Sequence, residues 1–70
     1  MKRQIRLFSV KGDELVAEWE VGATTTDAEV AFKKLMDDNF LHVMDEQEER
    51  PAKTFNPAHS YVAFRKMAGG

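Results

Sequence analysis

The chain has 70 residues, 43% of them hydrophobic and 31% charged, with a net charge of -2 and no cysteine. That length makes one domain with a modest core, and the absence of thiols excludes disulfides, zinc–thiolate sites and thiol catalysis within it. The slightly acidic balance gives no general attraction to nucleic acid or anionic lipid. No run approaches the ~20 apolar residues of a membrane span, so neither nucleic acid nor a membrane is an expected partner. Lys2, Arg3 and Arg6 are followed by mixed rather than continuously apolar residues, which does not read as a signal peptide. A small domain built without disulfides fits a reducing, cytoplasmic compartment, and we expect a monomer.

Residues 3–10 alternate Ile5 and Leu7 with Gln4, Arg6 and Phe8, which predicts a first strand. The polar stretch Lys11-Gly12-Asp13-Glu14 reads as a turn. Leu15, Ala17, Trp19 and Val21 then alternate with Val16, Glu18 and Glu20, giving a second strand with one buried face and hence a β-hairpin. Residues 22–25 connect to a helix. Thr26 and Glu29 have the spacing of a capping box, and Asp27 and Glu29 suit the positive end of the helix dipole. Ala28, Ala31, Phe32, Leu35 and Met36 form its apolar stripe. Asn39 is expected to stop the helix, with Phe40 packing back onto Leu35 or Met36. Asp37 and Asp38 oppose the dipole in the last turn.

Residues 40–44 suit a third strand, and the acid-rich 45–50 a solvated loop. Pro51 and Pro57 bracket Phe55, which reads as ordered coil with one hydrophobic anchor. Residues 60–67 return to alternation, with Val62 and Phe64 on one side and Tyr61, Ala63 and Arg65 on the other. This fourth strand leads to Ala68-Gly69-Gly70. The expectation is a single α+β domain over 1–70, with its core at about 3–67 and a flexible tail at 68–70. It has ββαββ order: a mixed four-stranded sheet with one helix packed on one face. If the last strand lies beside the first it runs parallel to it, with the helix and third strand as the crossover.

The run from Ile5 to Val21, with its apolar alternation and turn glycine, resembles the opening hairpin of ubiquitin. Residues 24–35 resemble the start of ubiquitin's helix. The ending Tyr61-Val-Ala-Phe-Arg-Lys-Met-Ala-Gly-Gly70 is similar to the last strand and Gly-Gly tail of ubiquitin-like proteins. With Ala68 where ubiquitin has an arginine, it looks closer to the sulfur carriers, such as the molybdopterin-synthase small subunit and the thiamine sulfur carrier. The likeness covers residues 3–36 and 60–70. Residues 40–59 depart from ubiquitin and read as lacking one of its strands, so its exposed apolar patch is not carried over. The resemblance implies a β-grasp fold and a protein that is not an enzyme. Its terminal carboxylate, on Gly70, would be adenylated with ATP by an activating enzyme. A thiol, sulfide or lysine amine of a downstream acceptor would then capture it. Gly69 and Gly70 make a thread without Cβ atoms that can enter a narrow active site. Arg65, Lys66, Met67 and Ala68 would be the part of the tail that the activating enzyme grips.

Other chemistry has little footing. His42 and His59 are seventeen residues apart without adjacent cysteines, so no metal site and no cofactor is expected. Asp45, Glu46, Glu48 and Glu49 lack the spacing of a calcium loop. Asp37 and Asp38, adjacent on a helix, point about 100° apart and do not converge. Ser60 lacks the setting of a nucleophile, and Gly12 stands alone without a phosphate-cradling loop. Trp19, Phe32, Phe40, Phe55 and Phe64 read as core. Phe8 reads as exposed, sharing an outer sheet face with Arg6, Tyr61 and Arg65 if the first and last strands pair. Such a face suits a protein-binding patch, and the acidic residues 45–49 could dock a basic partner surface; either gives the alternative function, a non-catalytic β-grasp protein–protein interaction module with an incidental Gly-Gly tail.

Overall fold

The predicted hairpin forms from β1 (Lys2–Ser9) and β2 (Gly12–Glu20), paired antiparallel from Lys2–Glu20 to Ser9–Gly12. The computed structural model describes residues 1–9 and 12–65. Gly12 opens β2 at φ 111°, a conformation that only glycine adopts without strain. Asp13 and Glu14, expected in the turn, are strand residues instead.

The register jumps within this hairpin. Ile5 pairs with Ala17 and Arg6 with Leu15, so Val16 is an extra residue on β2. A bulge of this kind reverses which side the next residues face. Ala17 and Trp19 point to the core, whereas Leu15 is 54% exposed on the opposite side. The single buried face expected from Leu15 through Val21 is therefore broken at the bulge, and Val21 lies beyond the strand end, also exposed.

Helix α1 (Thr26–Met36) buries Ala28 and Phe32 as its stripe predicted. Its N-cap is Thr25 rather than Thr26. The Thr25 carbonyl accepts the Glu29 N–H at 2.8 Å, and the Thr25 hydroxyl donates to the Glu29 carboxylate at 3.0 Å. No side-chain bond to a backbone N–H completes the expected capping box. At the other end the Asp38 carboxylate accepts the Phe40 N–H at 2.8 Å, turning the chain towards the next strand. The helix ends at Met36 with Asp37 as its cap, so Asp38, expected in the last turn, lies beyond the helix and serves this turn instead. The turn also leaves Phe40 70% exposed rather than packed back on the helix.

The sheet has five strands, not four: β3 (Leu41–Asp45), β4 (Arg50–Pro51) and β5 (Tyr61–Arg65) complete the order β2-β1-β5-β3-β4. The segment expected to lack a strand thus supplies a two-residue edge strand, where a proline without an N–H is tolerated. Strand β5 is central. It runs parallel to β1, with Ile5 beside Tyr61 and Phe8 beside Phe64, and antiparallel to β3. Lys66 and Met67, assigned to this strand from the sequence, lie outside the described residues. No described helix is long and apolar enough to cross a membrane.

The core lies between sheet and helix: Ile5, Trp19, Ala28, Phe32, Val43, Tyr61 and Ala63. Residues 52–60 cross its open end as a strap. Phe55 anchors it as predicted, with its ring 5.2 Å from Trp19, 5.4 Å from Phe32 and 5.9 Å from Tyr61. Tyr61 itself is fully buried. The expected faces of β5 are therefore inverted, with Tyr61 and Ala63 inward and Val62 and Phe64 outward. A tyrosine can occupy this place because its hydroxyl is satisfied. It accepts the Asn56 N–H at 2.7 Å and donates to the Thr54 carbonyl at 3.1 Å.

Candidate functional site

The helix covers one side of the sheet, and the side chains that alternate away from it make up the other. Phe8 pairs with Phe64 across β1 and β5, Arg6 with Val62, His42 with Phe64 across β5 and β3, and Met44 with Val62. Leu15 joins them from β2 because of the bulge. Phe8 is 44% and Phe64 37% exposed, and the His42 and Phe64 rings lie 5.5 Å apart. The Arg6 guanidinium sits 5.7 Å from the Phe8 ring centre and forms an ion pair with Asp13. This is a continuous apolar and aromatic strip across four strands, with its arginine already engaged.

Of the residues expected on this face, Arg6 and Phe8 are there. Tyr61 is not, since it fills the core. Arg65 shares the side of Tyr61 and Ala63 in the alternation, so it too lies opposite Arg6 and Phe8, exposed at the end of β5 beside Leu41. Phe64, expected in the core, takes part in its place. The remaining carrier residues, Lys66, Met67, Ala68, Gly69 and Gly70, lie outside the described residues.

A second cluster was not foreseen. Asp45, expected in a solvated loop, is the last residue of β3 and is 7% exposed. His59, expected without ligand company, brings Nδ1 to 2.7 Å from Asp45 Oδ2. The other carboxylate oxygen accepts the Gln47 and Glu48 N–H groups at 2.9 and 3.1 Å. Burial alone would raise the Asp45 carboxyl. The bond to His59 and the two backbone donors outweigh it and hold the group below the usual carboxylate range. Glu48 lies on the rim, tied to Arg50 through its Nε at 2.7 Å. These residues border an open cleft of about 360 Å³. Fourteen residues separate Asp45 from His59, and no short-range motif signals the pair. The pairing of Asp45 with Tyr61, two residues after His59, brings them together. No family model, curated protein or solved structure matches this chain.

Proposed function

We propose that this chain is a non-catalytic β-grasp carrier of the ubiquitin-like kind, whose Gly70 carboxylate is adenylated by an ATP-dependent activating enzyme and passed to sulfur or to an acceptor protein. The observation that carries the reading is the place of β5. It is the central strand, held by parallel pairing to β1 as far as Phe64 and by antiparallel pairing to β3 as far as Arg65. Gly69 and Gly70 follow Arg65 by only four and five residues in sequence. Two glycines this close in sequence to a central strand suit delivery of a carboxylate into a narrow active site, since neither carries a Cβ. The sheet order, with a hairpin first and the last strand inserted beside β1, supports the β-grasp reading.

The reading requires Gly70 to carry a free carboxylate in the cell. Intact mass of the protein isolated from its native cells without reductant tests this. A thiocarboxylate, or an adduct mapped to Gly70, is the expected result. Only unmodified protein across several growth conditions, together with full function after deletion of Gly69-Gly70, would overturn it.

The outer strip supports a second reading, an interaction module that docks a protein partner on Phe8, Leu15 and Phe64. Exposed aromatics of this kind are typical anchors of protein interfaces. Phe8→Ala would then impair function and loss of the glycines would not. The carrier reading gives the reverse order of severity.

A further inference from the structure

The cleft at the β3–β4 turn gathers three potential metal ligands, and it lies apart from the outer sheet face. One donor atom from each of Asp45, Glu48 and His59 lies within 4.8 Å of the others. We infer that these three side chains form a site for one divalent transition-metal ion of the zinc class.

The donor set decides the class of ion. One imidazole with two carboxylates suits zinc and its neighbours, whereas magnesium and calcium favour oxygen ligands throughout. Tetrahedral bonds of about 2.0–2.1 Å place ligand atoms about 3.3 Å apart. The Asp45 and His59 atoms, at 2.7 Å, need to part by roughly half an ångström to admit the ion. Asp45 is already oriented for this. It is buried, and its second oxygen is pinned by the Gln47 and Glu48 N–H groups. Those bonds also place the Glu48 backbone beside Asp45, so the third ligand arrives by rotation of an exposed side chain.

Arg50 opposes this rotation, because its guanidinium holds the Glu48 carboxylate. Three protein ligands leave a fourth position facing the cleft, as in zinc sites that keep an exchangeable ligand. A purely structural clasp needs only Asp45 and His59. A metal site needs Glu48 as well and is hindered by Arg50.

That difference sets the experiment. The full chain is titrated with zinc chloride at pH 7 by calorimetry, with magnesium chloride alongside, and the imidazole nitrogens are followed by NMR. Saturable one-to-one zinc binding that shifts His59 and not His42 is expected, with magnesium weaker by roughly tenfold or more. Glu48→Gln, at an exposed position that leaves the fold intact, weakens zinc roughly tenfold or more, since loss of a ligand costs at least what loss of an outer partner does. Arg50→Ala tightens binding, and His42→Gln leaves it unchanged. Absence of saturable zinc binding, equal binding by Glu48→Gln and the parent, or loss of binding in His42→Gln would each overturn the assignment.

Discussion

The indole N–H of Trp19 donates to the Pro57 carbonyl at 2.8 Å, joining β2 to a strap 38 residues further along the chain. Phe55, on the same strap, packs against the Trp19 ring. Removing that ring should release the strap from the core. Phe55→Ala is expected to cost about 2–4 kcal/mol, a large share of the stability of so small a domain. Denaturant unfolding measures the loss. The emission of the single tryptophan, shifted to the red before unfolding begins, reports the exposed indole. Phe55→Leu should lose less than half as much. Unaltered emission in Phe55→Ala would show that the strap does not depend on this ring.

Tyr61 is the only tyrosine, so its ionisation can be followed by absorbance without overlap from another phenol. Burial, aided by the nearby Asp45 and Glu48 carboxylates, pushes its hydroxyl above the ordinary value of about 10 despite the bond from Asn56. The folded state therefore keeps the proton to higher pH than the unfolded chain. Its contribution to stability is complete below pH about 10 and is lost as pH rises through the raised folded value. Phenolate should appear together with the loss of circular dichroism. A phenol titrating near pH 10 in an intact fold would contradict this. Tyr61→Phe leaves the Asn56 N–H without its acceptor and should cost about 1–3 kcal/mol.

Glu49 adopts φ 55° in the β3–β4 turn, where a side chain is strained. Glu49→Gly should raise stability by about 1 kcal/mol. Gly22 holds φ 94° after β2, and an added Cβ would meet nothing within 4 Å. Gly22→Ala should therefore destabilise through backbone strain alone, by about 1–2 kcal/mol. Thermal melts of the two variants should move in opposite directions.

The inverted faces of β5 make a paired prediction. Ala63→Leu inserts volume into a fully buried position and should cost about 1–3 kcal/mol. Phe64→Ser, on the outer face, should change stability by less than about 1 kcal/mol. A comparable loss from Phe64→Ser would place its ring in the core after all.

The hairpin, the helix stripe and the Phe55 anchor were legible because each rests on a local period or a single isolated aromatic, whereas the parallel run of the last strand followed only on the condition that it pairs with the first. Three features were not legible, each for a different reason. The bulge at Val16 preserves alternation on both sides while exchanging the faces, so period alone cannot reveal Leu15 on the outside. Strand β5 alternates equally well in either orientation, and only the buried partners of the Tyr61 hydroxyl decide which side turns in. Strand β4 is two residues long and includes a proline, too short for any period to show. Of the candidate site residues, Arg6 and Phe8 were placed on the correct face, whereas Arg65 and Tyr61 were not. The Asp45–His59 pair depends on strand register between distant segments, which leaves no trace in spacing along the chain.

The pairing of β1 with β5 has a consequence for biosynthesis. The N-terminal hairpin leaves the ribosome early, yet the outer edge of β1 stays unpaired until residues 61–64 arrive beside it. An isolated two-stranded hairpin is at best marginally stable, so the hairpin alone is a weak nucleus. The central strand of the sheet is thus the last described element to be made. Until then the unpaired N–H and C=O groups along residues 5–8 of β1 are an open template for any other extended segment nearby.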